Sequence, residues 1–288
     1  MKRHRLYAIL LAMTLVLFPL AGPYAAPEDD DIDAEGAGGA EEVYIPDPKL
    51  KAAIEKTLGT IDPTPADMLR LTSLAAAATG IADLTGLERA ENLTRLNLSR
   101  NRIVDISPLA GLAKMERLFL MENLIEDISA LEGLTEIVWL FLTSNRIGDI
   151  SALAGLTKLD RLNLGSNQIN DISALEGLTS LTVLNLGSNQ RSDISVLSGL
   201  TRLVWLDLTA NQLNDVSVLA GLASLTKLKL NSNQLSDVSA LTGLTGLTHL
   251  ELLNNPLGDG AYCIDMPTII SNNPAIDIQY SGEGPSSC

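Results

Sequence analysis

The sequence contains few aromatic residues, few histidines and few cysteines. Phe, Tyr and Trp make up 3% of its 288 residues, and His and Cys occur twice each. A core with so few rings has to be aliphatic. The sequence also lacks a nucleophile elbow, a metal-ligand cluster and a phosphate-binding loop. We therefore predict no enzyme activity, no metal site and no cofactor.

Basic residues are also scarce. Lys and Arg number 20 against 35 Asp and Glu, which gives a formal net charge of -15. A phosphate-binding surface needs clustered Lys and Arg, so we do not expect nucleic acid as a partner. Part of the acid lies in PEDDDIDAEGAGGAEE, a stretch with few apolar side chains. We predict an acidic, disordered linker over residues 27–43.

Long hydrophobic runs are absent except at the amino end. Residues 1–26 have a basic head, an apolar stretch from Tyr7 to Leu20 and then small residues, the order of a secretory signal peptide. An uncleaved membrane anchor is the alternative, but an apolar run of about 14 residues is short of the roughly 20 that span a bilayer. We expect a secreted protein, extracellular or periplasmic, with no membrane span after signal removal.

Both cysteines, Cys263 and Cys288, lie near the carboxyl end. In a secreted chain this arrangement is typical of one disulfide that holds the tail. Pairing of Cys288 between two molecules is the alternative. We predict the intrachain bond and expect a monomer.

A 22-residue repeat dominates the rest of the sequence. NLTRLNLSRNRIVDISPLAGL is followed by KMERLFLMENLIEDISALEGL and then by EIVWLFLTSNRIGDISALAGL. The template L-x-x-L-x-L-x-x-N-x-I/L-x-D-I/V-S-x-L-x-G-L is typical of leucine-rich repeats, in which a short strand precedes a tight return segment. Its turns begin at Leu71, Leu93, Met115, Ile137, Leu159, Leu181, Leu203, Leu225 and Leu247.

This template predicts an α/β solenoid: a right-handed coil with a parallel concave β-sheet and short 3-10 or irregular convex segments. One turn cannot bury its inward apolar residues alone, so stacked turns share one aliphatic core. We assign about nine turns to residues 71–257. IPDPKLKAAIEKTLGT has apolar residues at helical spacing after two prolines, which predicts a helical cap within residues 44–70. Residues 258–288 depart from the template and are predicted to form the second cap, stapled by the disulfide.

Two polar residues recur once per turn. Asn lies where the strand bends, and its amide is expected to satisfy backbone groups left unpaired there. Asp precedes the I/V-S step, where its carboxylate is expected to accept backbone N–H groups as a cap; a cation bound along this edge is the alternative. The two columns are Asn101, Asn123, Asn145, Asn167, Asn189, Asn211, Asn233 and Asn255, and Asp105, Asp127, Asp149, Asp171, Asp193, Asp215 and Asp237.

The repeats with their D-I-S returns, the front segment IPDPKLKAAIEKTLG and the signal sequence together resemble the bacterial internalin-type leucine-rich repeat proteins. The resemblance covers roughly residues 44–257 and is specific for the class of repeat, not for a ligand. It implies a curved solenoid whose concave sheet binds host or surface proteins.

In each strand, x-L-x-L-x, the x side chains point away from the core onto the concave face. Every Phe and Trp after the signal segment falls among these positions: Phe119, Trp139, Phe141 and Trp205. Strand propensity and cross-strand stacking would explain the bias without a ligand. We favour a binding face, because Thr or Val would give similar stability without exposing an aromatic patch, and aromatics beside Arg are typical of hot spots.

Cations frame these rings on an otherwise acidic protein. Such cations suit a partner that carries acidic groups. Nine strands about 4.8 Å apart give a sheet about 40 Å long, which suits a protein surface or an extended glycan better than a small metabolite. We predict that the partner is an extracellular or cell-surface protein. A glycan-binding module and a passive scaffold are the alternatives, and His249 beside Glu251 is interpreted as a polar strand pair. The candidate ligand-binding residues are Arg95, Arg117, Phe119, Met121, Trp139, Phe141, Arg161, Trp205, Lys227 and Lys229.

Overall fold

The structure is a computed structural model that describes residues 41–190, 193–282 and 288. Across these ranges ten parallel strands form one sheet, and each pairs with the next strand along the chain. The predicted signal peptide and all but the last residues of the predicted linker lie outside the described residues. The strands are β1 (Ser73–Ala75), β2 (Arg95–Asn97), β3 (Arg117–Phe119), β4 (Trp139–Phe141), β5 (Arg161–Asn163), β6 (Val183–Asn185), β7 (Trp205–Asp207), β8 (Lys227–Lys229), β9 (His249–Leu252) and β10 (Asp277–Tyr280).

Short 3-10 helices form the return segments, as the repeat template predicts. All but the first begin at the Ser of the D-I/V-S step. The observed architecture confirms the predicted leucine-rich repeat solenoid. The 3-10 helices are Leu87–Arg89, Ser107–Leu109, Ser129–Leu131, Ser151–Leu153, Ser173–Leu175, Ser195–Gly199, Ser217–Gly221 and Ser239–Leu241.

Leucines stack directly from strand to strand in the core. Leu118 pairs in register with Leu140, and Leu140 pairs with Leu162. All three side chains are fully buried. Burying one aliphatic side chain of this size contributes about 1.5–3 kcal/mol before the loss of conformational entropy is subtracted. Because each leucine packs between its equivalents in adjacent turns, the core is shared along the whole stack.

The Asn column holds the bend after each strand. The Asn145 amide donates to the carbonyls of Leu120 and Leu142, both at 2.9 Å, and its Oδ1 accepts the N–H of Ile125 at 3.1 Å. Ser144, just before it, has a φ of +58°, a conformation that non-glycine residues rarely adopt. The structural role predicted for Asn is confirmed. The same pair of carbonyl contacts recurs at Asn101, Asn123, Asn167, Asn189, Asn211, Asn233 and Asn255.

The Asp column caps the return segments. Asp127 Oδ1 accepts the backbone N–H of Ser129 at 2.8 Å. This N–H, together with the Ser129 hydroxyl, lowers the pKa of Asp127. The predicted capping role is therefore confirmed. In the part of the chain that the structure describes, no group of three or more His, Cys, Asp or Glu is arranged to hold a metal ion. The equivalent bond to Ser is made by Asp105, Asp149, Asp171, Asp193, Asp215 and Asp237.

Two helices close the amino-terminal end of the stack. Helix α1 (Pro48–Leu58) buries Leu50 and Ile54, and the Asp47 carboxylate caps its first turn. Helix α2 (Pro65–Met68) follows before β1. Packing begins earlier than we expect from the sequence: Val43, within the predicted linker, is buried and donates its N–H to the Pro63 carbonyl at 2.8 Å.

The carboxyl-terminal end contains a strand that the repeat pattern does not predict. A π-helical turn (Ala261–Asp265) leads into helix α3 (Met266–Asn272), and β10 then pairs with β9. The sequence DIQY lacks the L-x-L signature, and one inward residue, Ile278, packs partly buried on the core. The predicted disulfide between Cys263 and Cys288 is confirmed. None of the helices found in the described ranges is long and apolar enough to cross a membrane.

Candidate binding face

We call the outward-pointing residues of β1 to β9 the sheet face. Parallel pairing without register shift aligns these residues in rows that cross the strands. A row places side chains from consecutive turns about 4.8 Å apart, close enough for direct stacking. The first row consists of Ser73, Arg95, Arg117, Trp139, Arg161, Val183, Trp205, Lys227 and His249. The second row consists of Ala75, Asn97, Phe119, Phe141, Asn163, Asn185, Asp207, Lys229 and Glu251.

Trp139 lies between two arginines of the first row. The guanidinium carbon of Arg117 is 4.2 Å from the indole centroid, and that of Arg161 is 4.8 Å from it. Arg117 comes from the preceding strand and Arg161 from the following one, so they approach the ring from opposite sides. A cation over an indole contributes about 0.5–1 kcal/mol at an exposed site. The three side chains therefore hold one another in place.

Phe119 and Phe141 form a similar contact in the second row. Their ring centroids are 5.1 Å apart and the ring planes meet at 81°, an edge-to-face arrangement. Such pairs contribute about 0.5–1.5 kcal/mol beyond the burial of their area. Met121 follows at the end of β3 and is, like both rings, partly buried. These rings thus lie on the sheet face as predicted, but neighbouring side chains in the row cover part of each ring.

An open cleft joins Phe141 to Trp205 across two intervening strands. Its volume is about 420 Å³ and its walls are mainly apolar. The sequence did not predict a cleft here. One signal for it was Val204, because most other turns have a polar residue at the equivalent position. A larger cleft of about 510 Å³ lies among the Asp caps, where Asp127 and Asp149 already accept backbone N–H groups. The sheet-face cleft is lined by Phe141, Asn163, Val183, Asn185, Val204, Trp205, Thr226 and Lys227.

The structure divides the predicted cations into free and paired groups. Within the described ranges, no carboxylate forms an ion pair with Arg95, Arg117 or Lys227, while Arg161 makes one long contact of 3.5 Å with Asp160. Lys229 is different, because its ammonium lies 2.8 Å from Glu251. The hydrogen bond with Glu251 raises the pKa of Lys229. The basic spot predicted for Lys227 and Lys229 is therefore reduced to Lys227.

His249 belongs to a polar network at the end of the sheet. Its Nε2 is 2.7 Å from Glu251 and its Nδ1 is 3.1 Å from Asp277 on β10. Burial opposes ionisation of Glu251, but hydrogen bonds from Lys229 and His249 outweigh burial and lower the pKa of Glu251. The polar pair interpreted from the sequence is present. Asp277 was missed, because nothing in the repeat predicts a tenth strand.

Comparisons with known proteins agree on the repeat class. The leucine-rich repeat family model matches residues 91–147, a two-copy leucine-rich repeat model matches 135–177 and 157–199, and a further leucine-rich repeat model matches 221–242. A sequence comparison with curated proteins gives no match.

Among solved structures, the chain is similar to three proteins from Listeria monocytogenes. Internalin C2 is 37% identical, with a TM-score of 0.71 over 75% of this chain and 99% of internalin C2. The internalin InlF is 29% identical, with a TM-score of 0.51 over 82% of this chain and 91% of InlF. The functional domain of InlJ, at 21% identity and a TM-score of 0.66, covers 82% of this chain and 60% of that domain and shares the fold.

Proposed function

This chain belongs to the internalin-type leucine-rich repeat proteins, and from that premise we propose that it binds a protein partner through its sheet face. Leucine-rich repeats are commonly protein-binding scaffolds. One observation carries the proposal: every Phe and Trp in the described residues lies on this one face, and three of the four form stacked groups in adjacent rows, Phe119 with Phe141 and Trp139 with Arg117 and Arg161. We further propose that the protein is secreted, on the signal-like composition of residues 1–26, and that it is not an enzyme.

The composition of this group fits a protein interface. Trp and Arg are enriched among the residues that dominate binding energy, and such residues cluster in well-packed, partly enclosed positions. The extent of the sheet face fits too, because its nine strands at about 4.8 Å spacing extend over about 40 Å, a length that suits a macromolecular partner better than a small ligand.

A glycan is the second candidate, and the geometry at Trp139 argues against it. Sugar rings stack on a bare indole face. The guanidinium carbons of Arg117 and Arg161 lie over the Trp139 ring at 4.2 and 4.8 Å from its centre, in space that a stacked sugar ring would need. Trp205 is the remaining platform, with Val183 and Lys227 as its neighbours in register. A passive scaffold is the third candidate; it attributes the rings to strand propensity and cross-strand stacking alone, although Thr or Val would give similar stability without an aromatic patch.

Capture by matched variants tests the proposal. We would immobilise the full chain, incubate it with extracts of surface proteins and quantify bound proteins by mass spectrometry. The test variant is Trp139→Ser with Phe141→Ser. The control is Val104→Ser with Leu124→Ser, which removes two exposed apolar side chains outside the sheet face. Circular dichroism and urea unfolding check that both variants fold.

We expect the wild type and the control to capture the same protein and the sheet-face variant to capture at least about tenfold less, since hot-spot truncations cost about 2 kcal/mol or more. Equal capture by all three chains would show that the sheet face is not the binding surface. No enrichment by any chain would favour the passive scaffold.

A further inference from the structure

We propose that the sheet face recognises an extended acidic segment with the pattern Asp/Glu-x-apolar-x-Asp/Glu. The inference rests on the proposed function and adds the chemistry of the partner: carboxylates that meet the first row, with an apolar side chain between them that enters the cleft beside Trp205. It follows from the charge of the first row, from the free edges of its guanidinium groups and from the spacing of its members.

The first row is a cationic stripe on an acidic protein. The formal net charge of the chain is -15, yet the first row from Arg95 to Lys227 contains four cations and no carboxylate. The net negative charge of the chain repels an acidic partner at long range, so any attraction has to come from a local cluster of positive charge such as the first row. Complementary charge also selects partners, because like charges placed together at an interface are costly. An acidic segment is thus the partner that this row selects.

The stacked arginines keep their hydrogen-bond donors available. Both guanidinium carbons lie over the Trp139 ring, at 4.2 and 4.8 Å from its centre, and the edge of a guanidinium carries five N–H donors in a planar fork. An edge of this kind binds a carboxylate through two parallel hydrogen bonds. Arg117 forms no ion pair with the described residues, and the contact of Arg161 with Asp160 is long at 3.5 Å. Both guanidinium groups are therefore preoriented for carboxylates.

Spacing along the row specifies the pattern. Arg161 and Lys227 are three strands apart, which corresponds to about 14 Å. In an extended peptide, residues i and i+4 lie on the same side about 13.5 Å apart, and residue i+2 lies midway between them. If i and i+4 meet Arg161 and Lys227, residue i+2 lies over the cleft between Val183 and Trp205. The cleft is mainly apolar, so residue i+2 is apolar.

A helical segment does not satisfy the same spacing. A helix rises about 1.5 Å per residue, so 14 Å requires about nine residues. Residues nine apart point to opposite sides of a helix, because each residue turns by about 100°. One of the two carboxylates would then face away from the row. The partner segment is consequently extended and runs across the strands.

Two tryptophans report on the proposed site, because Trp205 lines the cleft and Trp139 contacts Arg161. The chain has two tryptophans, Trp139 and Trp205, and both lie in the first row, so the indole N–H signals of the full chain labelled with ¹⁵N-tryptophan report on this site alone. The probe is the blocked peptide Ser-Glu-Ser-Leu-Ser-Glu-Ser. One control peptide replaces both Glu by Gln, and a second, Ser-Glu-Leu-Ser-Ser-Glu-Ser, moves Leu by one position to the opposite side of the extended chain.

We expect the probe to shift both indole signals saturably and each control peptide to bind at least about tenfold more weakly. Arg161→Gln and Lys227→Gln should each weaken the probe about fivefold, while Arg102→Gln, an equal charge change at an exposed position outside the strands, should not. Raising the salt concentration should weaken binding, because the attraction is between exposed charges. Equal binding of the probe and either control peptide would overturn the proposal.

The outcomes separate this inference from the function on which it rests. If no peptide shifts the indole signals while Trp139→Ser with Phe141→Ser still abolishes protein capture, the acidic segment is wrong and protein binding stands. If the peptide binds as expected but the sheet-face variant captures its protein like wild type, protein binding at this face is wrong. Saturable shifts caused by cellohexaose, with none caused by the peptide, would overturn the acidic segment in favour of a glycan.

Discussion

The guanidinium carbon of Arg117 lies 4.2 Å from the centre of the Trp139 ring, and the two residues are direct partners in the register between β3 and β4. Because Arg161 contacts the same ring at 4.8 Å, the three long side chains restrict one another's conformations. Side chains that are already ordered lose less entropy on binding. The sheet face is thus organised before a partner arrives.

Replacing both arginines by lysine separates charge from stacking. Arg117→Lys with Arg161→Lys keeps the charge but removes the planar groups that cover Trp139 and the paired N–H donors. We expect the affinity for the captured partner to fall about tenfold, while the free energy of unfolding falls by less than about 2 kcal/mol, the sum of two exposed cation–π contacts. Titration calorimetry and urea unfolding measure the two quantities. Unchanged affinity would mean that only the positive charge matters.

Removing one amide of the Asn column should destabilise the stack. Asn145→Ala leaves the buried N–H of Ile125 without its acceptor and removes one of the two Asn donors from each of the carbonyls of Leu120 and Leu142, which keep Asn123 and Asn167. We expect the free energy of unfolding to fall by about 3 kcal/mol, since one unsatisfied buried group costs about 1–3 kcal/mol. Asn170→Ala, at an exposed position, is the matched control and should change it by less than about 0.5 kcal/mol. A loss for Asn145→Ala as small as the control's would contradict the structural role of the column.

The Asp caps predict a loss of stability in acid. Backbone N–H and hydroxyl groups of the following serines lower the pKa of Asp127 and of Asp237. A carboxyl group whose pKa is lower in the folded state contributes stability above its unfolded pKa, near 3.9, and loses this contribution as the pH falls through the folded pKa. Urea midpoints should therefore decrease as the pH is lowered from 5 towards 2.5.

Replacing Asp127 and Asp237 by Asn isolates the contribution of these two caps to the pH dependence of stability. Asp127→Asn with Asp237→Asn keeps an oxygen that can accept the serine N–H but removes the titration. We expect the urea midpoint of this variant to depend less steeply on pH than that of wild type in the same range. Identical pH dependence of the two proteins would assign acid sensitivity to other carboxylates.

Opening the disulfide should loosen the carboxyl-terminal cap. Cys263 and Cys288 are 25 residues apart, and closing a loop of this length contributes about 3 kcal/mol. We expect Cys263→Ser with Cys288→Ser to lower stability by about this amount and to increase hydrogen exchange in β10 more than in β4. Hydrogen exchange measured by mass spectrometry tests the regional effect. Uniform exchange across both strands would show that the cap is held by packing alone.

The 22-residue period of the sequence was sufficient to predict the fold of the repeats. Residues equivalent to Leu140, Leu142, Asn145 and Asp149 recur once per turn. In each turn the leucines are buried, the Asn amide bonds to backbone carbonyls and the Asp carboxylate accepts a backbone N–H. Local rules are enough here, since every turn contacts mainly its neighbours. The tenth strand has no such repeat, and β10 forms because β9 presents an unpaired edge and Ile278 can pack beneath it.

The alternation of side chains along a strand placed Trp139, Phe141 and Trp205 on one face from sequence alone, because successive residues of a strand point to opposite sides. Sequence could not show which of these side chains touch. The pairing of Lys229 with Glu251, the arginines beside Trp139 and the cleft between Phe141 and Trp205 all depend on zero register shift between turns. Contacts between residues about one repeat apart exist only when the turns are stacked, and that stacking is a property of the tertiary structure.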